Sequence, residues 1–285
     1  MRYAIGQYLA DKIIPRISNA PKTMVKTALI TGASGGIGYE LAKVFARNAY
    51  DLILVARSTD KLQHVQTELT QTHPIQVRVI SQDLSQPESP LALFENVQQQ
   101  GLTVDVLVNN AGFGDYGPFA KCDWVRHNSM LQLNMVTLTH LTRLFLPPML
   151  ERGYGKILNV ASTAAFQPGP FMAAYYASKS YVMSFTEALA HEVKDTGITA
   201  TVLCPGPTRG TDFQARARLG DVDFFKKLKL PEAAAVAQFG YDALERNQVV
   251  AVHGLFNRLL VFTNRITPRR AVTNAVGQLQ APQQD

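Results

Sequence analysis

The feature that most constrains the fold is a regular alternation of short apolar segments with segments of helical periodicity, which begins at residue 25. Strands alternating with helices are typical of an α/β protein whose strands run parallel. Seven apolar segments predict strands, at Val25–Thr31, Asp51–Ala56, 75–79, Val104–Val108, Ile157–Val160, Ile198–Cys204 and Gln248–Val252. Two long helical patterns cover 125–146, which we expect Pro147 and Pro148 to end, and 173–194.

No linker or internal repeat interrupts this pattern between residues 25 and 254. We therefore predict one Rossmann-type α/β domain over residues 25–254, with a doubly wound, seven-stranded parallel sheet and helices on both faces. An N-terminal extension of residues 1–24 and a C-terminal extension of residues 255–285 flank this domain.

Composition limits the class of protein. Hydrophobic residues make up 46% of the 285 residues and charged residues 18%, which fits a globular protein with a core. Only Cys122 and Cys204 are present, no apolar run of about 18 residues occurs, and no signal-peptide h-region opens the chain. We therefore expect a cytoplasmic protein. The six histidines show no metal-ligand spacing, so we expect no metal.

The net charge of +6 is concentrated at the two ends of the chain. Residues 1–24 hold four basic and one acidic residue, and residues 251–285 hold four arginines and Asp285, which gives +3 at each end. The region between them is neutral. A nucleic-acid-binding domain more often carries its basic residues on one face of the domain itself, so we expect no nucleic-acid partner.

A glycine-rich turn follows the first predicted strand, where residues 31–38 read Thr-Gly-Ala-Ser-Gly-Gly-Ile-Gly. The spacing departs from G-x-G-x-x-G because position 41 is Leu41, but small residues still let a backbone approach a pyrophosphate at a helix N-terminus. We predict a dinucleotide-binding turn. Its contacts are expected from Gly32, Ser34, Gly35, Gly36, Ile37 and Gly38.

The end of the second predicted strand indicates which dinucleotide binds. An NAD-binding protein usually has a carboxylate there for the ribose 2′-hydroxyl, whereas this chain has Arg57 followed by Ser58. A guanidinium and a hydroxyl suit a 2′-phosphate, which predicts NADP(H) as the cofactor.

Two other functions fit parts of the same pattern. Gly32-x-Ser34-x-Gly36 also matches the nucleophile elbow of an α/β hydrolase, with Ser34 as the nucleophile. A hydrolase mechanism does not account for Arg57 at the end of the second predicted strand. A dinucleotide-binding regulator without turnover is a further alternative.

Tyr175 and Lys179 are four residues apart in a predicted helix, and Ser162 precedes Tyr175 by thirteen positions. Residues at i and i+4 share one helix face, where an ammonium can lower the pKa of a phenol. This arrangement suits the reduction of a carbonyl by hydride, with Tyr175 supplying the proton in one direction and accepting it in the other.

In their order along the chain, these motifs resemble those of the short-chain dehydrogenase/reductase family over about residues 25–254. The resemblance further covers Asn109-Asn110-Ala111-Gly112, Asp83 after the third predicted strand, and Pro205-Gly206 with Thr208. It implies that Asn134, Ser162, Tyr175 and Lys179 form the catalytic set. It also implies that the cofactor contacts include Asp83, Leu84, Asn109, Ala111, Gly112, Tyr175, Lys179, Pro205, Gly206 and Thr208.

The same resemblance implies a role for each catalytic side chain. Ser162 would bond the carbonyl oxygen, Lys179 would hold the nicotinamide ribose, and Asn134 would hold a water that connects Lys179 to solvent. The C-terminal part is similar to the branch with 3-ketoacyl and 17β-hydroxysteroid reductases. We expect a homodimer or a homotetramer.

Apolar side chains follow several predicted strands and indicate a small lipophilic carbonyl or alcohol as the substrate. They are Phe113, Tyr116, Phe119, Phe166, Phe171, Met172 and, in a possible lid over residues 212–230, Phe213, Leu219, Phe224, Phe225, Leu228 and Leu230. Alternatively, these side chains pack on each other or on a second subunit.

The C-terminal extension mixes apolar and basic residues over Leu255–Ile266. Such a segment suits weak, peripheral contact with an anionic membrane, or it covers the pocket of a neighbouring subunit.

Overall fold

The computed structural model describes residues 25–218 and 230–281 and confirms the predicted fold class. Seven strands form one sheet in the order β3-β2-β1-β4-β5-β6-β7, and every neighbouring pair is parallel. The strands are β1 (Thr27–Thr31), β2 (Asp51–Ala56), β3 (Val77–Ser81), β4 (Val106–Asn109), β5 (Gly155–Val160), β6 (Ile198–Cys204) and β7 (Val250–Val252). The seven predicted strands are therefore all present, with ends that differ by up to two residues.

Helices cover both faces of the sheet. They are α1 (Gly36–Arg47), α2 (Thr59–Thr72), α3 (Ser89–Gln99), α4 (Trp124–Leu131), α5 (Leu138–Arg152), α6 (Ala173–Glu192), α7 (Phe213–Arg216), α8 (Ala233–Glu245), α9 (Leu255–Ile266) and α10 (Arg269–Gln280). Because a parallel sheet is buried on both sides, its strands are almost continuously apolar. One core joins the sheet to α1, α2 and α8, and the other joins it to α3, α5 and α6.

The prediction that Pro147 and Pro148 end a helix is wrong. Helix α5 continues through both prolines to Arg152 and ends at Gly153, whose φ of 65° places it in the left-handed region. The two prolines remove backbone donors near the end of the helix. Burial of Phe145 and Met149 on either side of them holds the last turns against the sheet.

The same predicted helix is also divided near its middle. Between α4 and α5 the backbone widens into a π-helical segment, Gln132–Thr137, which contains Asn134. Such segments are rare and occur mostly at functional sites.

The C-terminal extension folds as α9 and α10. Within residues 25–218 and 230–281, no helix is long and apolar enough to cross a membrane. The predicted lid residues Leu219, Phe224, Phe225 and Leu228 lie outside the described residues. The domain limit at residue 254 stays a prediction.

Candidate active site

A cleft of about 650 Å³ opens at the carboxyl ends of the strands. It lies where the strand order reverses, because β2 and β3 lie on one side of β1 whereas β4 lies on the other. In doubly wound sheets, ligands bind at such a switch point. The cleft joins the glycine turn, the end of β2 and the start of α6 in one space.

The glycine turn is shaped by contacts that leave no room for larger residues. Gly32 has a φ of 68°, and a Cβ on Gly38 would lie 2.3 Å from the carbonyl oxygen of Gly32. Gly35, by contrast, faces open space. Ser34, Gly35, Gly36 and Ile37 line the cleft at the N-terminus of α1. Gly38 does not line it and instead lets the helix pack closely on the turn. This cradle fits a pyrophosphate.

Thr31 and Asn110 fix the turn against β4, and the predicted contacts include neither of them. The hydroxyl of Thr31 accepts hydrogen bonds from the backbone N–H groups of Asn110 and Ala111, both at 3.0 Å. The amide Nδ2 of Asn110 donates to the carbonyl oxygen of Thr31 at 2.8 Å. Ala111 and Gly112 then line the cleft as predicted contacts.

Asn109, although predicted to contact the cofactor, does not line the cleft. It is the last residue of β4, and its Nδ2 donates to Asn159 Oδ1 at 2.9 Å and to Thr142 Oγ1 at 3.1 Å. Side chains alternate between the two faces of a strand, so Asn109 points into the core beside the site. Its role is to tie β4 to β5 and α5.

The end of β2 carries a polar group of side chains. Arg57 and Ser58 line the cleft together with Lys61, which sequence reasoning missed because it belongs to the first turn of α2. Asp83 lines the opposite wall, beside Leu84. Burial alone would raise the pKa of Asp83, but hydrogen bonds from Ser85 and the charge of Arg57 lower it below its ordinary value.

Tyr175, Lys179 and Ser162 meet in the centre of the cleft. Tyr175 and Lys179 are 7% and 6% exposed, and the Nζ of Lys179 lies 5.8 Å from the centroid of the Tyr175 ring. Ser162 follows β5, and its side chain lies beside that of Tyr175. The Ser162 hydroxyl donates to the carbonyl oxygen of Pro205 at 3.3 Å.

Burial dominates the protonation of this pair. It raises the pKa of Tyr175 above its ordinary value, and the neighbouring hydroxyl of Ser162 lowers it only in part. The expectation that Lys179 depresses the Tyr175 pKa is therefore not met in this structure. Burial also lowers the pKa of Lys179 to about 8, while its Nζ donates to the carbonyl oxygen of Val160 at 2.9 Å.

Asn134 lies behind the cleft, not in its lining. Its Nδ2 donates to the carbonyl oxygen of Phe113 at 2.9 Å, and its Oδ1 accepts the N–H of Phe113 at 3.1 Å. A Cβ on Gly112 would lie 2.9 Å from Asn134 Oδ1 and 3.5 Å from Lys179 Nζ, so Gly112 separates the two side chains. The water-holding role of Asn134 stays a prediction.

The segment after β6 forms another wall of the cleft. Pro205, Gly206 and Thr208 line the cleft, and the Thr208 hydroxyl donates to the carbonyl oxygen of Gly206 at 2.9 Å. This bond closes a tight turn beside Ser162. The three residues stand where they were expected.

The end of the cleft beyond Tyr175, where we expect the substrate, is lined by Phe113, Met172 and Phe213 from the predicted apolar set. The other described members do not line it: Phe171 packs on Tyr116, Phe166 packs beside β6 and Phe119 is exposed. Tyr176 also lines this end.

Sequence reasoning missed several polar residues at this end, among them Arg126, Arg216 and Gln280. Gln280, the last residue of α10, is buried, and its Nε2 donates to the hydroxyl of Tyr176. Its carbonyl oxygen accepts the hydroxyl of Tyr116 at 2.6 Å, so the C-terminal helix closes one wall. No motif or periodicity marks Gln280, which is 164 residues from Tyr116.

Ser34 has no base beside it, since no histidine of the described ranges lines the cleft. A serine nucleophile needs such a base within hydrogen-bonding distance. The hydrolase interpretation therefore has no support from the site.

Among residues 25–218 and 230–281, one group of side chains of metal-ligand type forms outside the cleft. Ligand atoms of Asp115, Cys122 and His127 lie within 4.8 Å of one another. However, one oxygen of Asp115 accepts a hydrogen bond from Arg126 at 2.7 Å, and the other lies 3.3 Å from His127 Nε2. Both carboxylate oxygens thus have partners within the protein.

Known proteins resemble the chain throughout this region. A sequence profile described as short chain dehydrogenase matches residues 26–221. The ketoacyl reductase HetN of Nostoc sp. is 33% identical over 194 residues, which make up 68% of this chain and 67% of that protein. The 17-beta-hydroxysteroid dehydrogenase type 3 of Mus musculus is 32% identical over 65% of this chain, but the match spans only 60% of that protein.

A solved structure extends the similarity to nearly the whole chain. A short-chain dehydrogenase from Sphingobium yanoikuyae, in complex with NADPH, aligns with a TM-score of 0.76 and 27% identity, covering 91% of this chain and 99% of that one. The profile matches more than half of the chain, and both the fold and the relatives agree with it. The protein therefore belongs to the short-chain dehydrogenase/reductase family of oxidoreductases.

Proposed function

We propose that this oxidoreductase interconverts a carbonyl and a secondary alcohol, with NADP(H) as the hydride carrier and Tyr175 as the proton donor or acceptor. The observation that carries the proposal is the meeting of Tyr175, Ser162 and Lys179 in the cleft that also contains the glycine turn. Bound cofactor would supply or receive the hydride. The side chains of the protein position the substrate and move the proton.

The cleft suits proton donation to a carbonyl oxygen. The raised pKa of Tyr175 keeps its phenol protonated at neutral pH, as a proton donor requires. Ser162 lies beside that phenol in the same cleft, so one substrate oxygen can contact both hydroxyls. Hydrogen-bond donors aimed at an oxygen that gains negative charge stabilise the transition state.

Lys179 fits two tasks beside Tyr175. Its Nζ lies next to the position of Gly112, where only hydrogen occupies the space that a side chain would fill. An ammonium there can hold the hydroxyls of the nicotinamide ribose. With a pKa of about 8, it can also return a proton to the phenol near neutral pH.

Three side chains support NADP(H) over NAD(H). Arg57, Ser58 and Lys61 line the cleft at the end of β2, where the adenine ribose would lie. Two cations and a hydroxyl complement a 2′-phosphate. The carboxylate of Asp83 accepts hydrogen bonds from the backbone N–H and the hydroxyl of Ser85, at 3.0 Å and 2.8 Å. The similar structure from Sphingobium yanoikuyae contains NADPH, which agrees with this choice.

A lipophilic substrate is supported by the apolar end of the cleft. Phe113, Met172 and Phe213 enclose the space beyond Tyr175, and the Phe213 ring lies 5.3 Å from the Tyr175 ring. Relatives described as a ketoacyl reductase and a hydroxysteroid dehydrogenase agree with a fatty-acyl or steroid-like carbonyl. We also propose a homodimer or homotetramer, which sedimentation can test.

A panel of carbonyl compounds assayed by NADPH oxidation tests the function. Tyr175→Phe should reduce turnover by about 10²-fold or more, because it removes only the proton donor. It should leave NADPH binding nearly unchanged. Tyr181→Phe, on the exposed side of the same helix, should keep full activity. Equal activity of Tyr175→Phe and wild type would refute the proton role. NADPH binding without turnover of any compound would instead favour a regulator.

A further inference from the structure

Helix α9 exposes an unusual amount of apolar surface. Leu255, Phe256, Leu259, Phe262 and Ile266 are all between 58% and 81% exposed. None of the twelve residues of the helix is buried. A helix on the surface of a globular protein usually turns its apolar stripe towards the core. This helix turns its apolar stripe outwards.

Polar contacts fix that orientation. On the opposite side of α9, Asn257 Nδ2 donates to the carbonyl oxygen of His253 at 2.8 Å, and Asn264 Nδ2 donates to Gln167 Oε1 at 2.7 Å. Val261, between them, packs against the core under β6 and β7. The asparagine side is thus attached to the protein, and the apolar side faces away from it.

The charge around this apolar face has one sign. Residues 247–281 contain no aspartate or glutamate. Four arginines in this segment are exposed: Arg258, Arg265, Arg269 and Arg270. None of the four forms a salt bridge with any described residue. The surface therefore combines large apolar side chains with uncompensated positive charge.

We propose that α9, together with the arginines at its junction with α10, docks on an anionic lipid bilayer. A helix with an apolar face and flanking arginines lies in the plane of the membrane interface, with its apolar side chains among the acyl chains. A two-fold contact between copies of α9 would bring arginines close to arginines without any acid from this segment. The charge therefore favours lipid phosphates over a second copy.

The attached side of α9 lies beside the part of the cleft wall that follows β5. Helix α9 packs on the short 3-10 helix Thr163–Phe166, which directly follows Ser162, and the Asn264 bond reaches Gln167 at the end of that helix. Docking would thus place α9 between the bilayer and the part of the cleft wall that follows β5. The supply of substrate from the bilayer rests on the proposed function, whereas the docking itself does not.

Co-sedimentation of the full chain with vesicles tests the docking. We expect binding to vesicles that contain phosphatidylglycerol and much weaker binding to pure phosphatidylcholine. The binding should fade at high salt, because salt screens the arginines. Each arginine near an anionic surface contributes about fivefold in affinity. The triple variant Arg265→Gln, Arg269→Gln, Arg270→Gln should therefore bind about 10²-fold more weakly.

Two further variants separate apolar insertion from charge. Leu259→Gln with Phe262→Gln should reduce binding to the anionic vesicles by about tenfold or more. Leu150→Gln, at an exposed leucine of α5, should keep wild-type binding. All these side chains are exposed, so the fold should be retained, which circular dichroism can verify.

Three results would overturn the proposal. The first is no binding to anionic vesicles at low salt. The second is unchanged binding of the apolar or the arginine variant, which would place the contact elsewhere in the chain. The third is a wild-type oligomer that the Leu259→Gln, Phe262→Gln variant converts to monomers, without lipid binding by either protein. That result would identify the face as a subunit interface. Activity is not measured, so these outcomes do not depend on the reaction.

Discussion

Replacing Lys179 with methionine should change the way in which stability depends on pH. Lys179 is 6% exposed, and burial lowers its pKa to about 8 from an ordinary 10.5. The unfolded chain therefore binds more protons than the folded protein between these values. Burying the charged Lys179 destabilises the folded protein. This destabilisation is present in full below about pH 8 and disappears as the pH rises through 10.5. A pKa shift of this size lowers the free energy of unfolding by about 3 kcal/mol at neutral pH.

The pH dependence of Lys179→Met separates the effect of the buried charge from the other effects of the substitution. Methionine removes the charge but also the bond from Lys179 Nζ to the carbonyl oxygen of Val160, at a cost of about 1–3 kcal/mol that does not depend on pH. Between about pH 7 and pH 9, the unfolding free energy of the wild type should rise by about 1 kcal/mol more than that of the variant.

Urea unfolding followed by circular dichroism, on the cofactor-free protein, measures this difference. Lys121→Met, which removes an exposed lysine from a surface turn, is the matched control and should follow the wild type. If the wild-type and Lys179→Met free energies change in parallel over this range, burial does not lower the pKa and the reasoning is refuted.

Other substitutions test the remaining walls of the cleft. Arg57→Asp should weaken NADPH binding by about 10–100-fold and leave NADH binding less affected, measured by fluorescence titration. Gly38→Ala should lower the Tm, because its Cβ would overlap the carbonyl oxygen of Gly32, whereas Gly35→Ala, which faces open space, should keep the Tm and weaken only NADPH binding. Gln280→Leu should raise the KM of a carbonyl substrate without changing NADPH affinity, because it removes the bond to Tyr176 at the substrate end.

The sheet could be predicted from the sequence because a buried parallel strand carries a strong local signal. All seven strands are short apolar runs, and β2 and β6 have the predicted limits. The helix pattern after β4 was harder to interpret, since Pro147 and Pro148 suggest an end that packing overrides. Buried Phe145 and Met149 stabilise α5 more than the missing backbone hydrogen bonds destabilise it.

The site could be predicted only where neighbours in sequence are neighbours in space. The glycine turn, Arg57 with Ser58, and Tyr175 with Lys179 each form one local unit, and all of them line the cleft. Gln280, Arg126 and Arg216 line it as well, but long-range folding brings them there. Asn109 shows the converse, because strand register turns its side chain away from the cleft and into the core.

The protonation of the Tyr175–Lys179 pair shows why spacing alone does not determine chemistry. Two residues at i and i+4 share a helix face, and in water the ammonium would be charged and would favour the phenolate. Burial disfavours both charged forms, the phenolate and the ammonium. It therefore raises the pKa of Tyr175 and lowers the pKa of Lys179. Burial therefore keeps the Tyr175 phenol protonated, so that it can act as a proton donor. It also makes the Lys179 ammonium release its proton more readily, which suits proton delivery to a carbonyl oxygen.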